Sequence, residues 1–120
     1  MLRLRNATDF ERVRREGRSH AHPFVVLISC RSNPPDAPSR CGFAAGRSVG
    51  TAVARNRAKR LLREALRARE AQLPAGWELV LIARAPAARV RLAEVQAAVD
   101  AVLRRAGLLV GAQSRAETDV

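Results

Sequence analysis

Eight side chains between residues 47 and 69 are cationic (Arg47, Arg55, Arg57, Lys59, Arg60, Arg63, Arg67 and Arg69) and one, Glu64, is anionic. No Pro or Gly occurs from Ala52 to Ala71, so this stretch reads as the longest helix of the chain. A helix turns by about 100° per residue. Ala54, Ala58, Leu61, Leu62, Ala65 and Leu66 then share one arc, while Asn56, Arg57, Lys59, Arg60, Arg63 and Arg67 spread over the opposite half. Like charges three and four residues apart repel, and a helix meant only for solvation interleaves Glu with Arg. This one mostly does not, which suits it to phosphate groups: guanidinium is a planar fork of donors that matches their oxygens. Asn56 adds an uncharged donor and acceptor able to reach a base edge or a 2′-hydroxyl.

Other chemistry is harder to assemble. His20 and His22 could form an acid–base pair for RNA cleavage, but they lie in an extended segment before Pro23 with no acid near in sequence. Cys30 and Cys41 belong to no CxxC pair and read as small buried hydrophobes on two paired strands. The serines show no nucleophile context. The 11 acids are scattered, with no Asp/Glu cluster outside residues 9–16, which argues against a self-sufficient metal-dependent nuclease. Neither a catalytic nor a metal-binding residue is expected. The net charge of +11 asks for a polyanionic partner. No signal peptide or membrane span is visible, so a cytoplasmic location is expected, with no membrane partner.

The elements that must position the basic face follow from apolar period and breakers. Residues 8–16 read as a short helix opened by a Thr8/Glu11 capping box, with Phe10 and Val13 on one face. Residues 24–30 and 40–47 read as strands joined by a loop with three prolines, and are expected to pair as an antiparallel hairpin. The basic helix is expected over 52–71, a third strand over 77–84, with Trp77 packed on the sheet, and a last helix over 92–106. That helix should bury Leu92, Val95, Val99, Val102 and Leu103. The order α-β-β-α-β-α predicts an α+β fold, a small mostly antiparallel sheet with helices packed on it. Residues 1–110 are expected to form a single domain and 111–120 a flexible tail.

The run Arg55-Asn56-Arg57-Ala58-Lys59-Arg60-Leu61-Leu62-Arg63-Glu64 resembles the signature of the bacterial ribonuclease P protein family. Asp9-Phe10 with Val13 and Gly17, Phe24-Val25-Val26, Cys41-Gly42-Phe43, the turn Gly46 to Val53, and Leu79 to Arg84 resemble its other segments in order, over about residues 2–108. The resemblance implies a fold like the second domain of ribosomal protein S5, with a left-handed βαβ crossover. It implies a subunit of a ribonucleoprotein endoribonuclease that removes the 5′ leader of precursor tRNA. The RNA subunit would carry catalysis, and magnesium ions would be bound mainly by RNA. Carried over by position, Arg47, Arg55, Asn56, Arg57, Lys59, Arg60, Arg63 and Arg67 would bind the RNA subunit, and Phe10, Arg14 and Phe24 would line a cleft for the leader. Arg14, Ser48 and Thr51 depart from the family's usual aromatic, Lys and Asn. Without the resemblance, the residues leave open another RNA-binding module, such as a ribosomal protein.

Overall fold

The computed structural model describes residues 1–109, so the expected tail at 111–120 lies outside the described residues. The elements are β1 (Leu2–Arg3), α1 (Ala7–Glu16), β2 (Arg18–Ala21), β3 (Val25–Arg31), β4 (Arg40–Ala45), α2 (Ala52–Arg67), β5 (Trp77–Ala83) and α3 (Leu92–Arg105). Short 3₁₀ turns occupy Arg47–Val49, Glu70–Gln72 and Ala85–Arg89. The sheet runs β1-β4-β5-β3-β2. It is mixed, but the antiparallel ladders β2/β3 and β3/β5 hold four and seven residue pairs against two and six in the parallel ladders β1/β4 and β4/β5. Because β4 and β5 are parallel neighbours, α2 between them makes a βαβ unit.

The expected β3/β4 hairpin does not form, because β5 lies between the two strands. In β5, Leu79, Val80 and Leu81 are consecutive and each at most 1% exposed. Successive side chains point to opposite faces of a sheet, so only a central strand can bury all three. Cys30 and Cys41 therefore sit on strands separated by β5; Cys41 is buried and Cys30 only half-buried. β1 and β2 add edge strands, β2 within the segment read as extended before Pro23.

Strand alternation sorts the side chains into two layers. One sheet face carries Val25, Leu27, Cys41, Leu79 and Leu81 and is covered by α2 and α3, forming the larger core. The other carries Ile28 and Val80 and is covered by α1 through Phe10 and Val13, with Leu4 alongside. The cap of α1 is Asn6, whose Oδ1 accepts from Thr8 N at 2.8 Å, so Thr8 lies inside the helix rather than at its cap. Asn is among the best N-cap residues, and Ala7 extends the helix back to it.

α2 buries Ala58, Leu61, Leu62, Ala65 and Leu66, as its periodicity predicts. It ends at Arg67, four residues short of the expected end. There the chain tightens into a 3₁₀ turn, and Arg69 reaches α3 in two parallel 2.8 Å bonds to Asp100. Gln96 also donates to Asp100 Oδ1. Burial alone would raise the Asp100 carboxyl, but the bonds from Arg69 and Gln96 outweigh it and hold it below the usual carboxylate range. α3 therefore buries Asp100 along with Val95, Val99, Val102 and Leu103, while Leu92 is left 42% exposed.

Candidate nucleic-acid interface

The cations of α2 divide by what their guanidinium groups already hold. Arg57 donates from Nε to Ala88 O (3.0 Å) and from Nη2 to Val90 O (3.1 Å), so it pins the 85–90 segment to the helix. Arg55 donates from Nε to Gly50 O (3.0 Å), closing the turn that precedes the helix. In that turn Gly50 has φ +124°, a conformation other residues rarely adopt. Thr51 caps the helix by accepting from Ala54 N. Arg63 lies over the Phe43 ring, 5.7 Å from its centroid, with its Nε buried and without a partner among the described residues. Arg67 meets Glu64 in an exposed pair at 3.5 Å, an interaction of little energetic weight. Arg47, Asn56 and Arg60 are exposed and Lys59 half-buried, all four without a side-chain partner among the described residues. Arg69, counted with the basic run in the sequence, turns inward to Asp100.

The basic surface continues past α2. A cleft of about 240 Å³ is lined by Arg3, Arg5, Phe10, Phe43 and Arg63. Sequence reasoning left Arg3 and Arg5 out of the candidate site, because nothing local says that β1 pairs with β4 and lies beside the C-terminal half of α2.

On the α1 side of the sheet, strand register sets out parallel rows. Gly42, Val80 and Ile28 form the row beneath α1. Gly42 has no side chain because Phe10 lies on it; a Cβ there would overlap the ring. One row away, Ala44, Ile82, Val26 and Ala21 lie side by side across four strands, none of them buried. This apolar strip opens into a cleft of about 700 Å³ rimmed by His22, Gly46, Ser48 and Arg84. By helical geometry Arg14 stands about 40° from Phe10, on the flank away from Asp9 and Arg12. Arg14 is exposed. Phe10 and Arg14 thus share α1, but Phe24 does not join them. It packs against the larger core on the other face, edge-on to His22 at 5.3 Å between centroids.

The row on the other side of Gly42 holds charge. Glu78, 4% exposed, receives Arg40 from β4 and Arg12 from α1, and Asp9 of α1 meets both arginines, at 3.3 Å from Arg40 and 3.5 Å from Arg12. Burial alone would raise the Glu78 carboxyl, yet the hydrogen bonds from Arg40 and Arg12 more than offset this and keep it below the usual carboxylate range. This network clamps α1 to the sheet. Its signal was present in the sequence as one acid inside the apolar run Trp77 to Ala83.

Neither histidine is placed for acid–base work. His22 Nδ1 accepts from Phe24 N at 3.0 Å, while His20 lines a different cavity. Desolvation, with Arg105 nearby (and Arg18 for His20), lowers both pKa values and favours the neutral imidazole. Burial raises both thiols. Among the described residues there is no group of three or more His, Cys, Asp or Glu able to hold a metal ion, and no helix is long and apolar enough to cross a membrane.

Three helices on a five-stranded mixed sheet, with cations aimed outward from α2 and an open apolar strip beside α1, define a small basic α+β protein shaped for a polyanionic chain. The family model described as Ribonuclease P matches residues 1–107, and this chain belongs to that family. The chain is 41% identical over 113 residues to the ribonuclease P protein component of Roseiflexus castenholzii, covering 93% of this chain and 91% of that one. It is 42% identical over 108 residues to the counterpart from Herpetosiphon aurantiacus, covering 88% and 85%. Among solved structures, the RNase P protein of Staphylococcus aureus superposes with a TM-score of 0.80 at 28% identity, covering 91% of this chain and 98% of that one. That of Thermotoga maritima gives 0.75 at 29%, covering 88% and 97%. The other RNA-binding modules left open by the residues are thereby set aside.

Proposed function

We propose that this chain, the protein subunit of a ribonuclease P, holds two RNA elements on two surfaces and leaves bond cleavage to the RNA subunit. The observation that carries this reading is the outward face of α2, where Asn56, Lys59 and Arg60 have no partner among the described residues while the inward face is sealed into the core. That face, with Arg47, Arg67 and the Arg3/Arg5/Arg63 edge, takes phosphates of the RNA subunit. Arg55 and Arg57 hold backbone carbonyls of the turn before α2 and of the 85–90 segment, and present only their remaining N–H donors. The 5′ leader of precursor tRNA runs along the Ala44–Ile82–Val26–Ala21 strip, with Phe10 and Arg14 on one wall. The strip is apolar and almost without aromatics, so binding there rests on base burial and on arginine stacking. Phe24 supports this surface from the opposite face.

The chain's own residues bind and orient. Glu78 and Asp100, the two buried acids, are each engaged by arginines, which leaves neither free to hold a magnesium ion. Magnesium, held by RNA in the holoenzyme, would supply the activated water for hydrolysis. Screening of phosphate repulsion by the α2 face lowers the magnesium needed. The test is reconstitution of precursor-tRNA cleavage with the RNA subunit at low magnesium. Adding the chain should raise cleavage, and the chain alone should cleave nothing. Cleavage by the chain alone, or no rise with both present, would sink the reading. Phe10→Ala should weaken binding of substrates with leaders more than binding of the RNA subunit; equal losses would make Phe10 a core residue only.

A further inference from the structure

A cavity of about 450 Å³ lies on the α2/α3 face of the sheet at its β2 edge, where the C-terminal end of α3 leaves the strands uncovered. Its floor is Ser29 and His20, and its walls are Arg18, Arg31 stacked on Trp77, and Arg105. Ser29 is 6% exposed, and its hydroxyl has no hydrogen-bond partner among the described residues. His20 Nε2 is likewise buried and without a partner. Arg31 lies over the Trp77 ring at 4.8 Å, a pair fixed by the β3/β5 register, which places the two residues opposite each other. Arg105 donates to Ala21 O, which anchors the end of α3 to β2. Arg18 and Arg31 form no ion pair among the described residues, and the one acid at the rim, Glu16, makes an exposed pair with Arg15.

We infer that this cavity is a third RNA site, one that takes a phosphodiester and the base next to it. Three guanidinium groups converge on a pocket whose floor offers an unused hydroxyl and an unused imidazole nitrogen, the donor set an anion needs. One face of the Arg31 guanidinium is on Trp77 and the other is open, so a base can stack on it. The site is separate from the surface of α2. The cavity is lined from β2, β3, the start of β5 and the C-terminal end of α3, and no residue of α2 lines it. It rests on the reading of this chain as an RNA-binding subunit and adds an RNA-holding surface on its far edge. The RNA is a segment of the RNA subunit or of precursor tRNA; the chemistry is shared.

Trp77 is the only tryptophan, so its emission reports on this wall alone. The experiment titrates the full chain with the RNA subunit, and then the assembled holoenzyme with precursor tRNA. A change in Trp77 emission in the first step assigns the site to the RNA subunit, and a change only in the second assigns it to the substrate. The variant Arg18→Ala/Arg31→Lys keeps one charge but removes the planar fork. It should weaken binding of the assigned RNA about tenfold, the scale of one charge-assisted hydrogen bond. Both residues are exposed, so an unchanged unfolding midpoint verifies that the variant is folded. Lys59→Ala/Arg60→Ala should weaken binding of the RNA subunit yet leave the Trp77 change at saturation intact. Trp77 emission unmoved in both steps, or wild-type affinity of Arg18→Ala/Arg31→Lys for both RNAs, overturns the inference while leaving the α2 interface standing. Failure of the wild-type chain to bind the RNA subunit at all overturns the underlying reading instead.

Discussion

Glu78→Gln should destabilise the fold by about 2–3 kcal/mol, below the 3–5 kcal/mol of a fully buried broken pair because Arg12 and Arg40 are each about 30% exposed. Gln occupies the same space, so the effect isolates the charge: two arginines remain face to face with only Asp9 to share. In a domain of this size the melting temperature should fall by about 10 °C. The pH dependence has a fixed sign. Glu78 and Asp100 both have folded pKa values below their unfolded ones. Their stabilisation is therefore fully present above the ordinary carboxylate range, from about pH 5 upward, and is lost as pH falls through the lower folded values. The variant should lose part of that acid sensitivity. Urea unfolding at neutral and acid pH checks both. A change under about 0.5 kcal/mol, within the range of ordinary surface substitutions, would mean that the arginines are solvated as well without Glu78 as with it. Because the clamp holds α1, the variant should also weaken binding of leader-bearing substrate more than of the RNA subunit.

Lys59→Ala/Arg60→Ala should weaken binding of the RNA subunit by about tenfold for each phosphate that is no longer held. The slope of log affinity against log salt should fall by about 0.7–0.9 per phosphate, since each one neutralised by the protein releases its counterions. Stability should stay within about ±0.5 kcal/mol, because neither side chain holds another part of the fold. Arg57→Ala differs in kind. It removes two hydrogen bonds that pin the 85–90 segment, so it should cost stability as well as affinity. Affinities measured over a range of salt, alongside unfolding curves, separate the two classes. An unchanged slope for Lys59→Ala/Arg60→Ala would remove α2's outward face from the interface.

The chain by itself determined what depends on local period and composition. The split of α2 into a Leu/Ala face and an acid-poor basic face follows from residue spacing along one helix, and the structure keeps it. So do the buried strand at Val25–Arg31 and most of the inward face of α3. The motif around Asn56 points to the family without help from the fold. Tertiary structure decided which of those cations are still available. Arg57, Arg63 and Arg69 look alike in sequence, yet one binds two carbonyls, one lies on Phe43 and one is spent on Asp100; each of those partners is 20 or more positions away along the chain. The same holds for the strand order. A run such as Leu79-Val80-Leu81 declares that it is buried, but not between which neighbours, and inserting β5 separated two strands that proximity alone would have paired. It also set Ala44, Ile82, Val26 and Ala21 in one row and moved Phe24 to the far face. Local chemistry is written in the order of residues, whereas the surfaces that meet RNA are made by packing between segments whose pairing that order leaves open.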